Sequence, residues 1–83
     1  MEKSIHSRKY AAFLETLRRV REERGLIQSE LANRLGATQS FVSKCERGER
    51  RLDVVELIHW CEALGMPWVE FAALLEAAVG EQA

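Results

Sequence analysis

The sequence has few residues that break or cross-link a chain: one proline, five glycines and two cysteines among 83 residues. So little Pro and Gly, with an apolar content of 47%, argues against an intrinsically disordered chain. Cys45 and Cys61 are too few for a disulfide scaffold, and they show neither a C-x-x-C pair nor zinc-ligand spacing. We expect both to be small buried side chains in a reducing compartment.

Other signals are absent as well. No apolar run approaches the roughly 18 residues of a membrane span, and the N-terminus lacks the apolar block of a signal peptide. We therefore expect a cytoplasmic protein without a membrane partner. The catalytic motifs G-x-S-x-G, H-E-x-x-H and the P-loop are missing, and His6 and His59 stand alone. The sequence predicts no enzyme, no metal, no cofactor and no small-molecule ligand.

Positive charge is absent from the last part of the chain. All 12 Lys and Arg lie in residues 1–51 beside 7 acidic residues, a net charge of +5, whereas residues 52–83 carry 6 acidic residues and a net charge of −6. Such segregation lets one end meet a polyanion while the other is repelled by it. Ordinary solvated helix faces are the alternative explanation. The pattern favours a nucleic-acid partner.

Apolar residues recur at helical spacing through most of the sequence. We predict one all-α domain over residues 1–83, with no strand or internal repeat. Residues 1–8 carry no pattern and predict a loose arm. The predicted helices are 9–24, 28–35, 39–46, a fourth capped by Asp53 with an apolar stripe over 54–64, and 67–79.

The stretch 28–48, QSELANRLGATQSFVSKCERG, predicts two short helices around a Gly-Ala-Thr break. Polar side chains form one stripe of the second helix: Gln39, Ser40, Ser43, Lys44 and Arg47. Val42, Cys45 and Glu46 lie on the opposite side. Amides, hydroxyls and cations facing outward from a braced helix are what reading of a DNA major groove requires. The stretch is therefore predicted to be a helix-turn-helix.

Two charged residues fall on faces that should point inward. Arg21 lies one turn beyond Leu17 of the first apolar stripe, and Glu46 lies one turn after Val42. A buried charge requires a partner. We predict an Arg21–Glu46 pair that orients the third helix on the first, with little net contribution to stability.

The fifth predicted helix is apolar on most of its sides. A terminal helix of this kind is normally covered on both sides, and in a short chain the second cover can be another copy of the chain. We therefore predict a homodimer interface formed by Trp68, Phe71, Leu74 and Leu75.

An ordered set of motifs resembles the Cro/CI-type helix-turn-helix regulators, or XRE family. Over residues 14–75 the sequence reads R-x-x-x-G-L-x-Q, Q-x-E-L-A, L-G, Q-S-x-V-S-K, E-R-G and A-L-G. No single piece is decisive, but the set at these spacings is specific. The resemblance implies a compact, lambda-repressor-like five-helix bundle that binds palindromic double-stranded DNA operators as a homodimer.

The resemblance also implies roles for particular residues. Gln28 opens the second helix and would touch a phosphate. Gln39 and Ser40 match the main base-contacting positions, and Ser43 and Lys44 match further groove-facing positions, with guanine and phosphate both open for Lys44. Arg47, Arg50 and Arg51 would supply contacts to the DNA backbone.

Three positions depart from the family pattern. Ile27 replaces a Ser or Thr cap, which weakens the first phosphate anchor, while Cys45 replaces a larger aliphatic residue and Leu52 a frequent proline. Phe41 has two interpretations: packing against the turn, or contact with a thymine methyl group. None of these differences removes the expectation of DNA binding.

The predicted function is sequence-specific DNA binding by a transcriptional regulator acting as a repressor, although activation fits the sequence equally. The alternative is a protein-interaction or antitoxin-type subunit that uses the same fold with a protein partner. A steep loss of DNA affinity with salt separates the first from the second.

Overall fold

The computed structural model describes residues 3–82, and the side chains of residues 8–81. Within that range the protein is all-α, with five helices and no strand. They are α1 (Lys3–Glu23), α2 (Gln28–Leu35), α3 (Gln39–Glu46), α4 (Val54–Leu64) and α5 (Trp68–Gln82). The predicted five-helix bundle with a helix-turn-helix at α2 and α3 is confirmed.

The first and last helices are longer than predicted. α1 begins at Lys3, so the predicted loose arm is wrong for residues 3–8, and residues 1–2 lie outside the described part. The segment contains neither Gly nor Pro, so nothing in it interrupts a helix propagating from the periodic region. α5 continues to Gln82, three residues past the predicted end.

Local capping explains the bounds of the middle helices. Thr38 Oγ1 accepts the backbone N–H of Phe41 at 3.1 Å at the start of α3. Asp53 and Glu56 form the predicted capping box at the start of α4, with bonds of 2.7 and 2.8 Å. Gly36 ends α2 with φ of +68°, a left-handed conformation that makes the tight turn into α3 possible.

The core is built from all five helices, with α1 packed mainly on α5 and α2 mainly on α3. Its largest fully buried side chains are Trp60, Phe71, Leu17, Leu31, Leu64 and Val42. The two cysteines are also buried and free. Since α2 and α3 both place their apolar faces in this core, the polar face of α3 is directed outward.

The C-terminus of α4 receives its positive charge from elsewhere in the chain. Its last turn contains no basic residue. Arg34 of α2 donates to the carbonyl of Ala63 at 3.1 Å, and Arg24 donates to the carbonyl of Gly65 at 3.3 Å. Cations at a helix C-terminus complement its dipole. These two arginines therefore serve the packing of the bundle.

Helix α5 turns Phe71 inward. The Phe71 ring is fully buried and meets Phe13 edge-on at a centroid distance of 6.1 Å. The prediction that Phe71 belongs to a dimer interface is therefore wrong, because its surface is already covered within one chain. The large exposed apolar residues of α5 are Trp68 and Val69, at 56% and 72% exposure, while Leu74 and Leu75 pack partly on the core.

The lengths and hydropathies of the helices can be compared with those of a membrane-spanning helix. Among the described residues, no single helix is long and apolar enough to cross a membrane. α4 and α5 reach that length and composition only as a pair, and the pair is bent by 108°.

Burial of Cys61 predicts a loss of stability at alkaline pH. Burial raises the pKa of this thiol to about 11, whereas an unfolded cysteine ionises near pH 8.5. The Cys61 thiol binds its proton more tightly in the folded protein than in the unfolded chain. Its contribution to the free energy of unfolding is therefore fully present below pH 8.5 and is lost as the pH rises towards 11. We expect the free energy of unfolding to fall by up to about 1.4 kcal/mol per pH unit over this window.

The measurement is chemical unfolding of the reduced protein from pH 7 to 10.5, compared with Cys61→Ala. Every other ionisable group is common to both proteins. The stability difference between wild type and variant should shrink as pH rises. Parallel curves would contradict the assignment.

Candidate nucleic-acid interface

Helix α3 presents one polar face and one buried face. Gln39, Ser40, Lys44 and Arg47 are exposed and Ser43 is half-buried. Val42 and Cys45, on the opposite side, are completely buried. The helix lies on the surface with its polar stripe turned to solvent, in the orientation that contact with a base edge requires.

A buried ion pair fixes this orientation. The Nε and Nη2 atoms of Arg21 donate to the two carboxylate oxygens of Glu46 at 2.6 and 3.0 Å. Their side chains are only 9% and 5% exposed. Arg21 also donates to the carbonyl of Leu26 at 2.8 Å. The Arg21–Glu46 pair predicted from the sequence is thus present, and its hydrogen bond is the main cause of a raised pKa for Arg21.

The pair extends outward through two glutamines. Gln28 Nε2 donates to Glu46 Oε1 at 3.0 Å, and Gln39 Nε2 donates to Gln28 Oε1 at 2.7 Å. These amides line an open depression of about 470 Å³ with Arg21, Ile27 and Ser29. A continuous hydrogen-bonded chain therefore runs from a buried cation to an exposed amide at the first position of α3.

The start of α2 is capped from one side only. Ile27 occupies the N-cap position without a side-chain bond, as its residue type predicts. Glu30 Oε1 accepts the backbone N–H of Ile27 at 2.9 Å. A carboxylate thus occupies one donor that an incoming phosphate would otherwise meet.

Arg47 follows α3 and is held by its neighbours. Its Nε lies 2.8 Å from Glu49 Oε2, and its Nη1 donates to Ser43 Oγ. Hydrogen bonding to Arg47 lowers the pKa of the Glu49 carboxyl. Both charged side chains are about half exposed and Arg47 meets only one oxygen of Glu49, so this pair is a weak one that a phosphate can replace.

The two arginines of the following loop have different surroundings. The Arg50 guanidinium meets the Glu56 carboxylate, with Nη1–Oε1 and Nη2–Oε2 distances of 2.9 and 2.8 Å. The Arg51 guanidinium stacks on the Tyr10 ring at 4.4 Å. Among the described residues, it forms no hydrogen bond or ion pair.

Two residues that shape this loop were not identified from the sequence as part of the site. The Tyr10 hydroxyl accepts the backbone N–H of Leu52 at 3.3 Å, and Glu56 holds Arg50. In the sequence, Tyr10 is one residue of the predicted helix 9–24 and Glu56 one residue of the predicted fourth helix. The contacts of Tyr10 with Leu52 and of Glu56 with Arg50 depend on tertiary packing, so no local sequence pattern predicts them.

The described residues contain no group of three or more His, Cys, Asp or Glu placed to hold a metal ion. The geometry is that of a helix-turn-helix protein whose second helix carries an ordered polar face.

Comparison with known proteins gives the same class. A family model described as a helix-turn-helix domain matches residues 12–74. An uncharacterized HTH-type transcriptional regulator, y4dJ, of Sinorhizobium fredii (strain NBRC 101917 / NGR234) is 42% identical over 52 residues, which are 63% of this chain and 68% of that protein. An XRE-family like protein from Pseudomonas syringae pv. tomato str. DC3000 has a solved structure with 45% identity and a TM-score of 0.82. That match covers 93% of this chain and 96% of the other.

The chain belongs to the XRE family of helix-turn-helix transcriptional regulators. This is a family of DNA-binding proteins that are generally not enzymes. The resemblance found in the motifs is thereby confirmed.

Proposed function

We propose that the protein binds a palindromic operator in double-stranded DNA as a homodimer, placing two copies of α3 in successive major grooves roughly 34 Å apart. Gln39 and Ser40 read bases, Ser43 and Lys44 lie deeper along the groove, and Gln28, Arg47 and Arg51 meet phosphates. Binding at such a site represses transcription by excluding the polymerase.

The observation that carries this proposal is the hydrogen-bonded chain from Arg21 to Gln39. A glutamine amide reads adenine through two hydrogen bonds, and its value depends on being held in position before the DNA arrives. Gln39 is exposed, yet its amide is fixed by Gln28, which is fixed by a buried carboxylate. A plain solvated helix face has no need of such support.

Affinity for duplex DNA across a range of salt concentrations tests the class of partner. If phosphates are neutralised, log K should fall steeply with log salt, with a slope of about −0.9 for each phosphate contacted. The operator itself is found by selecting bound DNA from a random pool. A weak, flat response would reject DNA as the partner and favour a protein partner instead.

Removing the amide of Gln39 should alter base discrimination. We expect Gln39→Ala to lose about 1–3 kcal/mol of operator affinity, concentrated at one base position. Binding to random DNA should change little, because the amide contributes nothing to phosphate contact. The matched control is Asn33→Ala, which removes an exposed amide from α2 without touching Gln28 or Gln39. Equal losses on operator and random DNA would refute the base-reading role.

Dimerisation is proposed through the exposed side of α5. Trp68 and Val69 are the most exposed apolar residues of this helix, and Ala72, Ala73 and Ala77 are also exposed. Small side chains let two helices approach closely, and the aromatic ring supplies area. Leu74 and Leu75 contribute their uncovered edges, and Phe71 supports the interface from the core.

A charge placed in this surface should separate the protomers. We expect Val69→Glu to be monomeric in analytical ultracentrifugation, and its operator affinity to fall by about 10² or more because the second half-site no longer binds in the same molecule. Val54→Glu is the matched control for the sedimentation measurement, since Val54 is a valine of similar exposure, 68%, on α4. A wild-type protein that sediments as a monomer at high concentration would reject the α5 interface.

A further inference from the structure

We propose that Arg50 is a positioning residue that clamps the loop after α3 to α4, and that Arg51 alone of this adjacent pair supplies the phosphate contact. The inference rests on the proposed DNA-binding function and assigns different roles to two arginines that are equivalent in the sequence. It also identifies Glu56 as part of the DNA-binding apparatus although it faces no DNA.

The Arg50 guanidinium is occupied on several sides. Both of its terminal nitrogens are bonded to Glu56, at 2.9 and 2.8 Å. Nη1 also donates to the carbonyl of Arg51 at 2.6 Å. A planar guanidinium bound by both oxygens of a carboxylate has a defined direction as well as a defined position. A phosphate would have to displace that carboxylate to reach it.

Glu56 is itself fixed. The oxygen that receives Arg50 Nη1 also accepts the backbone N–H of Asp53 at 2.8 Å, and the Asp53 side chain accepts the N–H of Glu56 at 2.7 Å. The carboxylate thus belongs to the capping box that starts α4. Arg50 is therefore anchored to the first turn of a packed helix.

Arg50 also contacts α3. Its guanidinium carbon lies 5.2 Å from the centre of the Phe41 ring, within the range of a cation–π contact. Phe41 belongs to the first turn of α3 and its ring lies 6.2 Å from that of Trp60 in α4. Phe41 therefore packs between Trp60 and Arg50. The clamp connects α3, the loop and α4 through one side chain.

Arg51, unlike Arg50, is not held by a carboxylate. Its ring contact with Tyr10 leaves the edge of the guanidinium, which carries the N–H groups, without a hydrogen bond among the described residues. Tyr10 also receives the backbone N–H of Leu52, so the loop is held at this point while the Arg51 cation stays available. A phosphate can bind there without replacing an existing partner.

Four variants separate a clamp from a phosphate contact: Arg50→Gln, Arg50→Lys, Glu56→Gln and Arg51→Gln. Glu56→Gln retains one oxygen for the capping box, while it removes the charge and replaces the second acceptor oxygen with an NH2 donor. The readouts are operator affinity and the slope of log K against log salt. We expect the three clamp variants to lose about three- to tenfold in operator affinity, with a slope equal to that of the wild type. Arg51→Gln should reduce the steepness of the slope by about 0.9.

The opposing results are distinct. If Arg50 contacts a phosphate, Arg50→Lys keeps the affinity, because the charge is retained. Arg50→Gln then reduces the slope as Arg51→Gln does, and Glu56→Gln tightens binding by releasing the cation. Any one of these three results overturns the proposal.

Failure of the clamp and failure of DNA binding can be told apart. A flat salt response of the wild-type protein rejects DNA binding and leaves the clamp to be measured on the free protein. In the free protein, the unfolding equilibrium constants of the wild type, Arg50→Gln, Glu56→Gln and the double variant form a double-mutant cycle. We expect the effect of the double variant to differ from the product of the two single effects by about two- to fivefold. A double-variant effect equal to the product of the two single effects would overturn the clamp.

Discussion

Arg21→Met is expected to lower the free energy of unfolding by about 3–5 kcal/mol, because it leaves a buried carboxylate without its cation. Glu46 would retain only the amide of Gln28 as a hydrogen-bond donor from a side chain. A small domain has roughly 5–15 kcal/mol to lose, so the variant should be partly unfolded at moderate denaturant concentrations. Chemical unfolding followed by circular dichroism measures the loss.

The informative control is the double variant Arg21→Met with Glu46→Leu. Replacing both ions by apolar groups of similar size removes the unpaired charge, and such replacements are often neutral or stabilising. We therefore expect stability to recover in the double variant. Operator affinity should stay low, since Gln28 no longer has a carboxylate to hold it and Gln39 loses its fixed position.

Comparing Arg21→Met with the double variant would thus show stability recovering while operator affinity stays low. Affinity that recovers together with stability would show that the buried pair does not orient α3. An Arg21→Met protein that folds and binds as the wild type does would reject both the energetic and the orienting role.

Trp60→Ala should be of comparable severity. Trp60 is completely buried and has the largest side chain in the core, and truncating such a residue typically costs about 3–5 kcal/mol through lost burial and the remaining cavity. Its loss also removes the surface on which Phe41 rests. We expect a markedly lower unfolding midpoint, measured by thermal or chemical unfolding with α-helical circular dichroism as the signal.

Trp60→Phe is the matched control for ring size. The indole N–H is buried and has no hydrogen-bond partner among the described residues. An unsatisfied buried donor costs about 1–3 kcal/mol. Phenylalanine removes that donor along with some volume, so its loss should be far smaller than that of alanine. Equal losses for the two variants would show that packing volume is not what the position requires.

Much of this fold was predictable because its signals are local. The bounds of α2, α3 and α4 follow from apolar periodicity and from caps such as Thr38 and Asp53, which act within four residues. The Arg21–Glu46 contact was predictable for a different reason. Each charge falls on an inward face, and two buried charges of opposite sign are best accommodated together.

The parts that were not predictable depend on tertiary contacts. α5 is apolar on most sides, so periodicity does not say that Phe71 is the side turned to α1 and that Val69 is turned to solvent. Arg50 and Arg51 are neighbours of the same type, and their surroundings differ only because Glu56 and Tyr10 come close in the folded chain. Composition gives the charge of such residues, but it does not show whether that charge is already paired with a carboxylate in the folded chain.

The separation of charge along the chain has a consequence for how occupancy responds to ionic strength. Residues 52–83 carry a net charge of −6, and Glu70, Glu76 and Glu81 are exposed on α5, so the proposed dimerisation through that helix would bring two acidic ends together. Added salt should screen this repulsion and favour the proposed dimer, while it weakens the proposed contacts of the basic end with phosphate. At low protein concentration, operator occupancy should therefore rise and then fall as salt increases, with its maximum where the two opposing responses balance.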